Sequence, residues 1–141
     1  MADLVNKVLT GNSGNVWLNG QLLAQLKAIE LKVTGNFEDM NFCGDSSTHS
    51  KYTGWSGEGT ITMYKIDSTV LKLIAKAYQT GIMPDVKIIT KLTDENTGKS
   101  ERVAVSGITI TEFTLAKFEA KTNIEEELPV KFSKYEILDT I

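Results

Sequence analysis

The chain has 141 residues, of which 41% are hydrophobic and 23% charged, so it can bury the core of a single domain spanning residues 1–141 and is too apolar for a disordered chain. The formal net charge is −3 and the 15 basic residues form no cluster. This argues against nucleic-acid binding through the phosphates as the main function. The single cysteine, Cys43, excludes an intramolecular disulfide.

The N-terminal segment, residues 1–14, is predicted to be a flexible arm that orders only against a neighbour. It ends in Thr10-Gly11-Asn12-Ser13-Gly14, which is turn-forming material. Residues 1–10 lack a basic region followed by an apolar stretch, and no apolar run approaches the length of a membrane span. We therefore expect a protein that is made and folded in the cytoplasm.

A hairpin and a bent strand follow the arm. Asn19-Gly20 has apolar flanks, and this dipeptide accepts the positive φ that a two-residue hairpin turn requires. The second arm runs from Gln21 to about Val33. Its apolar positions change phase after Ala28, which predicts a β-bulge. The two apolar sets are Leu22, Ala24 and Leu26, and then Ile29, Leu31 and Val33.

Residues 35–55 show no clear period and are predicted to be a long loop, although such a loop is unusual in a compact domain. A merely solvated loop has little use for large apolar side chains, yet this segment carries five. They either fold back on the domain or dock on another subunit. These candidate interface residues are Phe37, Met40, Phe42, Tyr52 and Trp55.

The middle of the chain predicts a strand and then the one helix. Residues 59–67 alternate between apolar and polar side chains, as a strand does. Apolar residues then recur at helical spacing over about residues 68–80. Asp67 or Ser68 offers an N-cap, and Gly81 and Pro84 provide the stop.

Three further predicted strands and one ambiguous stretch complete the chain. Residues 85–93 and residues 100 to about 115 are predicted to be strands, and the second has a break at Ser106-Gly107. Residues 114–127 are ambiguous. A last strand, with a change of phase along it, begins at Leu128. With six or seven bent strands and one helix, we expect a mainly β fold. Its form is a small antiparallel β-barrel or sandwich with one flanking α-helix.

No catalytic, cofactor-binding or metal-binding residue is predicted. His49 is the only histidine, and with Cys43 in the same loop it is more simply explained as an exposed side chain than as half of a nucleophilic pair. Zinc would need more ligands than these. The glycine-rich residues 54–59 precede a strand rather than a helix, unlike a phosphate loop. Acidic runs such as residues 125–127 are typical of a solvated surface.

Four segments resemble one family in their order and spacing. They are Gly14–Gly20, Gly57–Ser68, the stretch from Glu101-Arg102-Val103 onward, and Lys134–Asp139. Together they resemble the tail-tube proteins of contractile phage tails, in particular the XkdM-like group of defective prophages in Gram-positive bacteria. R-type bacteriocins such as diffocins use similar subunits. The resemblance covers nearly the whole chain and is weakest at residues 1–14 and 38–50.

This resemblance implies a structural role, not an enzymatic one. Subunits of this kind form hexameric rings, which stack into a hollow tube with a continuous β-barrel lining. The implied partners are copies of the chain itself, a contractile sheath protein, baseplate or initiator proteins, a tail terminator, and DNA passing through the lumen without specific binding. The implied location is a phage tail or bacteriocin particle that is produced in the bacterial cytoplasm and released by lysis.

The resemblance also gives residues 35–55 a role as an assembly loop that reaches neighbouring subunits. It predicts that Phe42, Tyr52 and Trp55 are protected mainly by assembly. Two other functions compete: a type VI secretion tube protein of the Hcp kind, which shares the architecture, and a monomeric small-ligand-binding β-barrel. The first forms tubes as well, whereas the second predicts a stable monomer with an apolar cavity.

Overall fold

The computed structural model describes residues 2–141 and contains two helices and nine strands in that range. A short helix α1 (Ala2–Lys7) and one 3-10 turn (Gly11–Ser13) precede the first strand. The longer helix α2 spans Thr69–Thr80. The strands are β1 (Gly14–Leu18), β2 (Gln21–Leu22), β3 (Leu26–Met40), β4 (His49–Tyr64), β5 (Ile88–Thr93), β6 (Ser100–Ser106), β7 (Thr109–Ile110), β8 (Glu125–Phe132) and β9 (Lys134–Asp139).

The strands form two antiparallel sheets. The five-stranded sheet has the order β2-β1-β5-β6-β9, and the four-stranded sheet has the order β3-β4-β8-β7. Each sheet is open at both edges, so of the two predicted forms the fold is the sandwich. The mainly β class with one flanking helix is confirmed.

The core lies between the sheets and is aliphatic. Val16 and Ile88 of the five-stranded sheet meet Ile61 of the four-stranded sheet, and each of these side chains is almost fully buried. Helix α2 adds Val70 and Ile74 to the same cluster. Its apolar face therefore closes the sandwich, and packing of this face is what stabilises a 12-residue helix.

The helix begins and ends where the sequence predicts. The Asp67 side chain accepts a hydrogen bond from the backbone N–H of Thr69 at 3.1 Å, so it caps the first turn. Gly81 has φ of 75° and its N–H donates to the Ala77 carbonyl, which is the glycine stop expected at this end. The predicted helix over about residues 68–80 is confirmed.

The three predicted breaks in strand phase have two different causes. The first is a bulge, since the β3–β4 register shifts between Leu26 and Ala28. The other two are corners where the chain changes sheet, at Gly107 between β6 and β7 and at Ser133 between β8 and β9. These corners adjoin, because the Ser133 N–H donates to the Ser106 carbonyl at 3.3 Å. Gly107 has φ of 64°, and a Cβ there would clash with Ser133.

Three predictions need correction. Residues 35–55 are not an irregular loop, because all except 41–48 belong to β3 and β4. The strand predicted from residue 100 to about 115 ends at Ile110, and the chain is irregular from residue 111 to 124. The arm, residues 1–14, holds helix α1 and the 3-10 turn, and its described side chains before Ser13 are exposed; Met1 lies outside the described residues. Its flexibility stays a prediction.

Candidate assembly surface

The far half of the β3–β4 hairpin stands clear of the rest of the sheet. Strand β8 pairs with β4 only as far as Gly57, opposite Phe132, and β4 is the one strand that pairs with β3 in the described chain. Residues 35–56, called the ribbon from here on, therefore form a two-stranded structure with a free edge on each side. An isolated two-stranded hairpin is marginally stable in water. Within the subunit, neither arm of the ribbon has a third strand to support it.

One face of the ribbon carries an aromatic pair. Phe37 lies opposite Tyr52, with ring centroids 5.7 Å apart in an edge-to-face arrangement. Gly35 leaves room for this pair, because a Cβ there would come within 2.6 Å of the Phe37 ring. Phe37 is 63% exposed and Tyr52 is 55% exposed. The subunit therefore leaves more than half of each of these predicted interface residues in water.

A bulge sets the ribbon's bend just below this pair. Asn36 pairs with Gly54 and Phe37 pairs with Tyr52, so Thr53 is the extra residue. The Thr53 hydroxyl donates to the Asn36 carbonyl at 3.0 Å and satisfies a backbone group beside the bulge. The bulge bends the ribbon at this point, between the sandwich and the aromatic pair.

Trp55 lies at the base of the ribbon and not with the aromatic pair. Its ring centroid is 6.2 Å from that of Phe132 and 5.1 Å from that of Tyr135. The side chain is partly buried and packs against the core. Trp55 thus packs against its own subunit and joins the ribbon to the sandwich. Its place at an interface between subunits stays a prediction.

Met40 and Phe42 lie near the tip, with His49. Met40 is opposite His49 in the last pair of the ladder, and Phe42 contacts the His49 ring edge-to-face at 5.8 Å. The Asp45 carboxylate binds His49 Nε2 at 2.8 Å and accepts two hydrogen bonds from Ser47. These contacts, the one with His49 first, lower the pKa of Asp45 to about 2. The tip is therefore an ordered, exposed turn.

The Ser47 hydroxyl in this cluster is bound to the Asp45 carboxylate. It donates to Asp45 at 2.7 Å, and its oxygen lies 3.4 Å from His49 Nε2. A hydroxyl whose proton is held by a carboxylate is not poised to give that proton to a histidine base. Cys43 is exposed in the same turn. Among the described residues, no group of three or more acidic, histidine or cysteine side chains could hold a metal ion. No helix in the described chain is long and apolar enough to cross a membrane.

A groove opens between the two sheets on the side of β3. Its volume is about 800 Å³. Aliphatic side chains from both sheets form much of its wall, including Leu26, Ile29 and Leu31 of β3 and Val16 and Val103 of the five-stranded sheet. The sequence predicted these residues as strand residues but gave no sign of the groove, because the distance between two sheets leaves no pattern along the chain.

The outer face of the four-stranded sheet is polar and carries charges of both signs. Cross-strand partners share a face and neighbouring residues alternate, so burial of Ile61 and Leu128 places Thr60 and Glu127 outside. Glu58 on this face lies 3.6 Å from Lys32. At one corner Lys27 binds Glu125 at 2.7 Å, and this hydrogen bond raises the pKa of Lys27.

Known proteins match the sequence over almost the whole chain. A family model described as "Phage tail tube protein" matches residues 4–139. XkdM, a protein of the phage-like element PBSX in Bacillus subtilis (strain 168), is 28% identical over 139 residues, covering 97% of this chain and 95% of the relative. The family resemblance inferred from the sequence is therefore confirmed.

Two solved structures show the same fold at low identity. The sheath-tube complex of the PVC extracellular contractile injection system in its extended state contains a chain with a TM-score of 0.77 at 11% identity, covering 99% of both chains. The tube-terminating cap of the anti-feeding prophage gives 0.77 at 14% identity, covering 94% of this chain and 92% of that one. The family points to a non-enzymatic role. The chain thus belongs to the phage tail tube protein family, and it is a particle-associated structural subunit of a tail tube.

Proposed function

We propose that identical copies of this chain associate into hexameric rings, and that the rings stack into the hollow inner tube of a contractile phage tail or a phage-tail-like bacteriocin. The ribbon carries this proposal. It leaves the sandwich with two free strand edges and a largely exposed aromatic pair, which is a liability in a protein that stays monomeric. In a tube, a neighbouring copy covers it.

The edges of the four-stranded sheet support a ring. Strand β3 presents a 15-residue edge on one side. On the other side β7 has only two residues, so most of β8 is also open. An edge of one copy joined to the opposite edge of the next is a heterologous contact, and it closes into a ring when its rotation permits. The sheet then continues around the ring.

The polar outer face of this sheet suits the lumen. Threonine and charged side chains cover most of it, and the exposed large apolar side chains of this face in the described chain are Tyr64 and, near the tip of the ribbon, Met40. A wall of this kind stays hydrated and offers no basic cluster to hold passing DNA. The five-stranded sheet then faces outward, toward a sheath.

The proposed partners follow from a contractile tube. They are a sheath protein, baseplate or initiator proteins and a tail terminator, with DNA passing through the lumen in a phage tail. A neighbour in fold comes from a sheath-tube complex and another from a tube-terminating cap. The tail of a gene transfer agent, with a TM-score of 0.62 at 14% identity, has C6 symmetry. Production in the bacterial cytoplasm, release by lysis and the absence of enzymatic activity belong to the same proposal.

Electron microscopy of the purified protein tests this function. Concentrated protein, alone and mixed with its baseplate or initiator, is expected to give rings of six copies and tubes with a central channel. A type VI secretion tube of the Hcp kind would give similar rings but would be exported, so fractionation of producing cells separates the two. A single closed particle under all conditions, above all one carrying a small molecule, would overturn the proposal.

A further inference from the structure

We infer that residues 114–122, called the linking segment from here on, form a short helix in the assembled tube and pack on the inner face of β3 of the next copy in the ring. The linking segment lies between β7 and β8 and belongs to neither sheet. This inference rests on the proposed function, because it names a further contact that forms when the ring closes.

The linking segment leaves its apolar side chains in water. Phe118 is 81% exposed, the highest value among the large apolar side chains of the described chain, and Leu115 is 69% exposed. Their spacing would place both on one face of a helix, and the leucine, alanine, lysine and glutamate around them favour a helix. The chain is nevertheless irregular here. A helix this short is unstable in water unless a packed apolar face supports it, so the linking segment lacks a surface on which to fold.

The linking segment lies beside an open edge of the four-stranded sheet, on the side of the core. Just before it, Phe113 packs on Tyr78 of α2 with ring centroids 5.1 Å apart. Just after it, the Ile124 carbonyl accepts a hydrogen bond from the Lys65 N–H at 2.8 Å. Strand β7 pairs with only two residues of β8, so the first residues of β8 are open. A copy that joins this edge therefore meets the linking segment.

Strand β3 forms the opposite edge of the sheet, and it is the strand that the next copy brings to this junction. Leu26, Ile29 and Leu31 of β3 face inward and are only partly buried, because they line the groove on the side where it opens. Their level along the sheet also fits. Glu126 near the start of β8 lies opposite Met63, and Met63 lies opposite Leu26. In a ring, the linking segment of one copy thus meets the first half of β3 of the next.

Polar side chains are present on both sides of this contact. Around the aliphatic side chains of β3, the groove is lined by Lys91 and Glu101. The linking segment carries Lys117 and Glu119 beside its apolar positions. Each side therefore offers a charge of either sign to the other, and an amphipathic helix suits a lining that is partly polar and partly apolar.

The same contact cannot form within one copy. There, the linking segment and β3 lie at opposite edges of the four-stranded sheet, and the buried side chains of Ile61 and Met63 occupy the inner face between them. Each copy presents the linking segment at one edge and the receiving face of β3 at the other. This is the heterologous arrangement that closes into a ring.

Substitution of Phe118 tests the contribution of the contact. Phe118→Ser should raise the critical concentration for assembly about tenfold or more in sedimentation velocity. Urea unfolding of the monomer should not change, because the side chain is exposed there. Ile82→Ser is the matched control, since Ile82 is 76% exposed but follows α2, and it should shift the critical concentration less than about twofold. No shift for Phe118→Ser, or equal shifts for the two variants, would overturn the inference.

Cysteine cross-linking within assembled protein identifies the receiving surface. Cys43→Ser removes the native thiol in every variant. Lys117→Cys places a thiol on the linking segment of one preparation. In a second preparation Ala24→Cys places a thiol just before β3, at an exposed position that lines the groove, and Gln79→Cys on the exposed part of α2 is its matched control. The two preparations are mixed, assembled and treated with a short bis-maleimide.

The expected result is a cross-linked pair between positions 117 and 24, at about ten times the yield with the α2 control or more. Tubes that form normally while Ala24→Cys gives only the control yield would overturn the inference and leave the proposed function standing. Failure of the Cys43→Ser protein to form rings, with its baseplate or initiator present, would overturn both.

Discussion

Truncation of Phe37 separates assembly from folding. A fully covered aromatic side chain buries about 150–250 Å². Since 63% of Phe37 is exposed in the subunit, roughly 100–150 Å² remains for a neighbour to cover. At about 25 cal/mol per Å², this area is worth about 2.5–4 kcal/mol of association free energy. Phe37→Ala should therefore raise the critical concentration for assembly at least 50-fold.

The same change should leave the folded subunit nearly as stable. Within the subunit, Phe37→Ala removes only the edge-to-face contact with Tyr52, which is worth about 0.5–1.5 kcal/mol. Sedimentation velocity over a concentration series measures assembly, and urea unfolding of the monomer measures stability. Phe37→Leu, which keeps most of the apolar surface, is the control and should move the critical concentration less than tenfold. An unchanged critical concentration for Phe37→Ala would refute the reasoning.

Three further predictions concern single positions. Gly107→Ala should lower the free energy of unfolding by at least 1–2 kcal/mol, because φ is 64° there and the new Cβ meets Ser133; Ser133→Gly should recover part of the loss in urea unfolding. Ile61→Ala, in the middle of the core, should cost about 2–5 kcal/mol by the same measurement. Asp45 has a pKa lowered to about 2, so its contact with His49 is fully present above the ordinary pKa of 3.8 and is lost as the pH falls through about 2. A carboxyl NMR titration should show this midpoint, and His49→Ala should move it upward.

The sequence predicts those parts of the fold that local chemistry determines. Asp67 and Gly81 define the helix because a cap and a left-handed glycine act within one turn. Asn19-Gly20 forms the predicted turn, with φ of 51° and 83°, because few other residues accept those angles. The predicted breaks in strand phase are also present in the structure. Where the chain bulges or passes from one sheet to the other, the alternation of apolar and polar residues along the strand must shift.

The ribbon and the groove could not be predicted in the same way. Hydrophobic alternation reports burial on one face of a strand, and residues 36–53 are exposed on both faces within the subunit. The strand conformation of residues 36–40 and 49–53 depends on the pairing of these two segments with each other, and the extra Thr53 breaks the period. The five apolar residues were a usable signal, and the structure separates them: Trp55 anchors the ribbon, and Phe37 and Tyr52 share its exposed face.

Hydrogen exchange of the monomer and of the assembled tube tests most directly whether the ribbon finds its partner in another copy. In the monomer, amides of residues 36–53 should exchange much faster than those of β8, because the ribbon has no third strand to support it. In the tube, we expect them to slow at least 100-fold while the β8 core amides change little. Equal exchange of the ribbon in the two states would contradict the account.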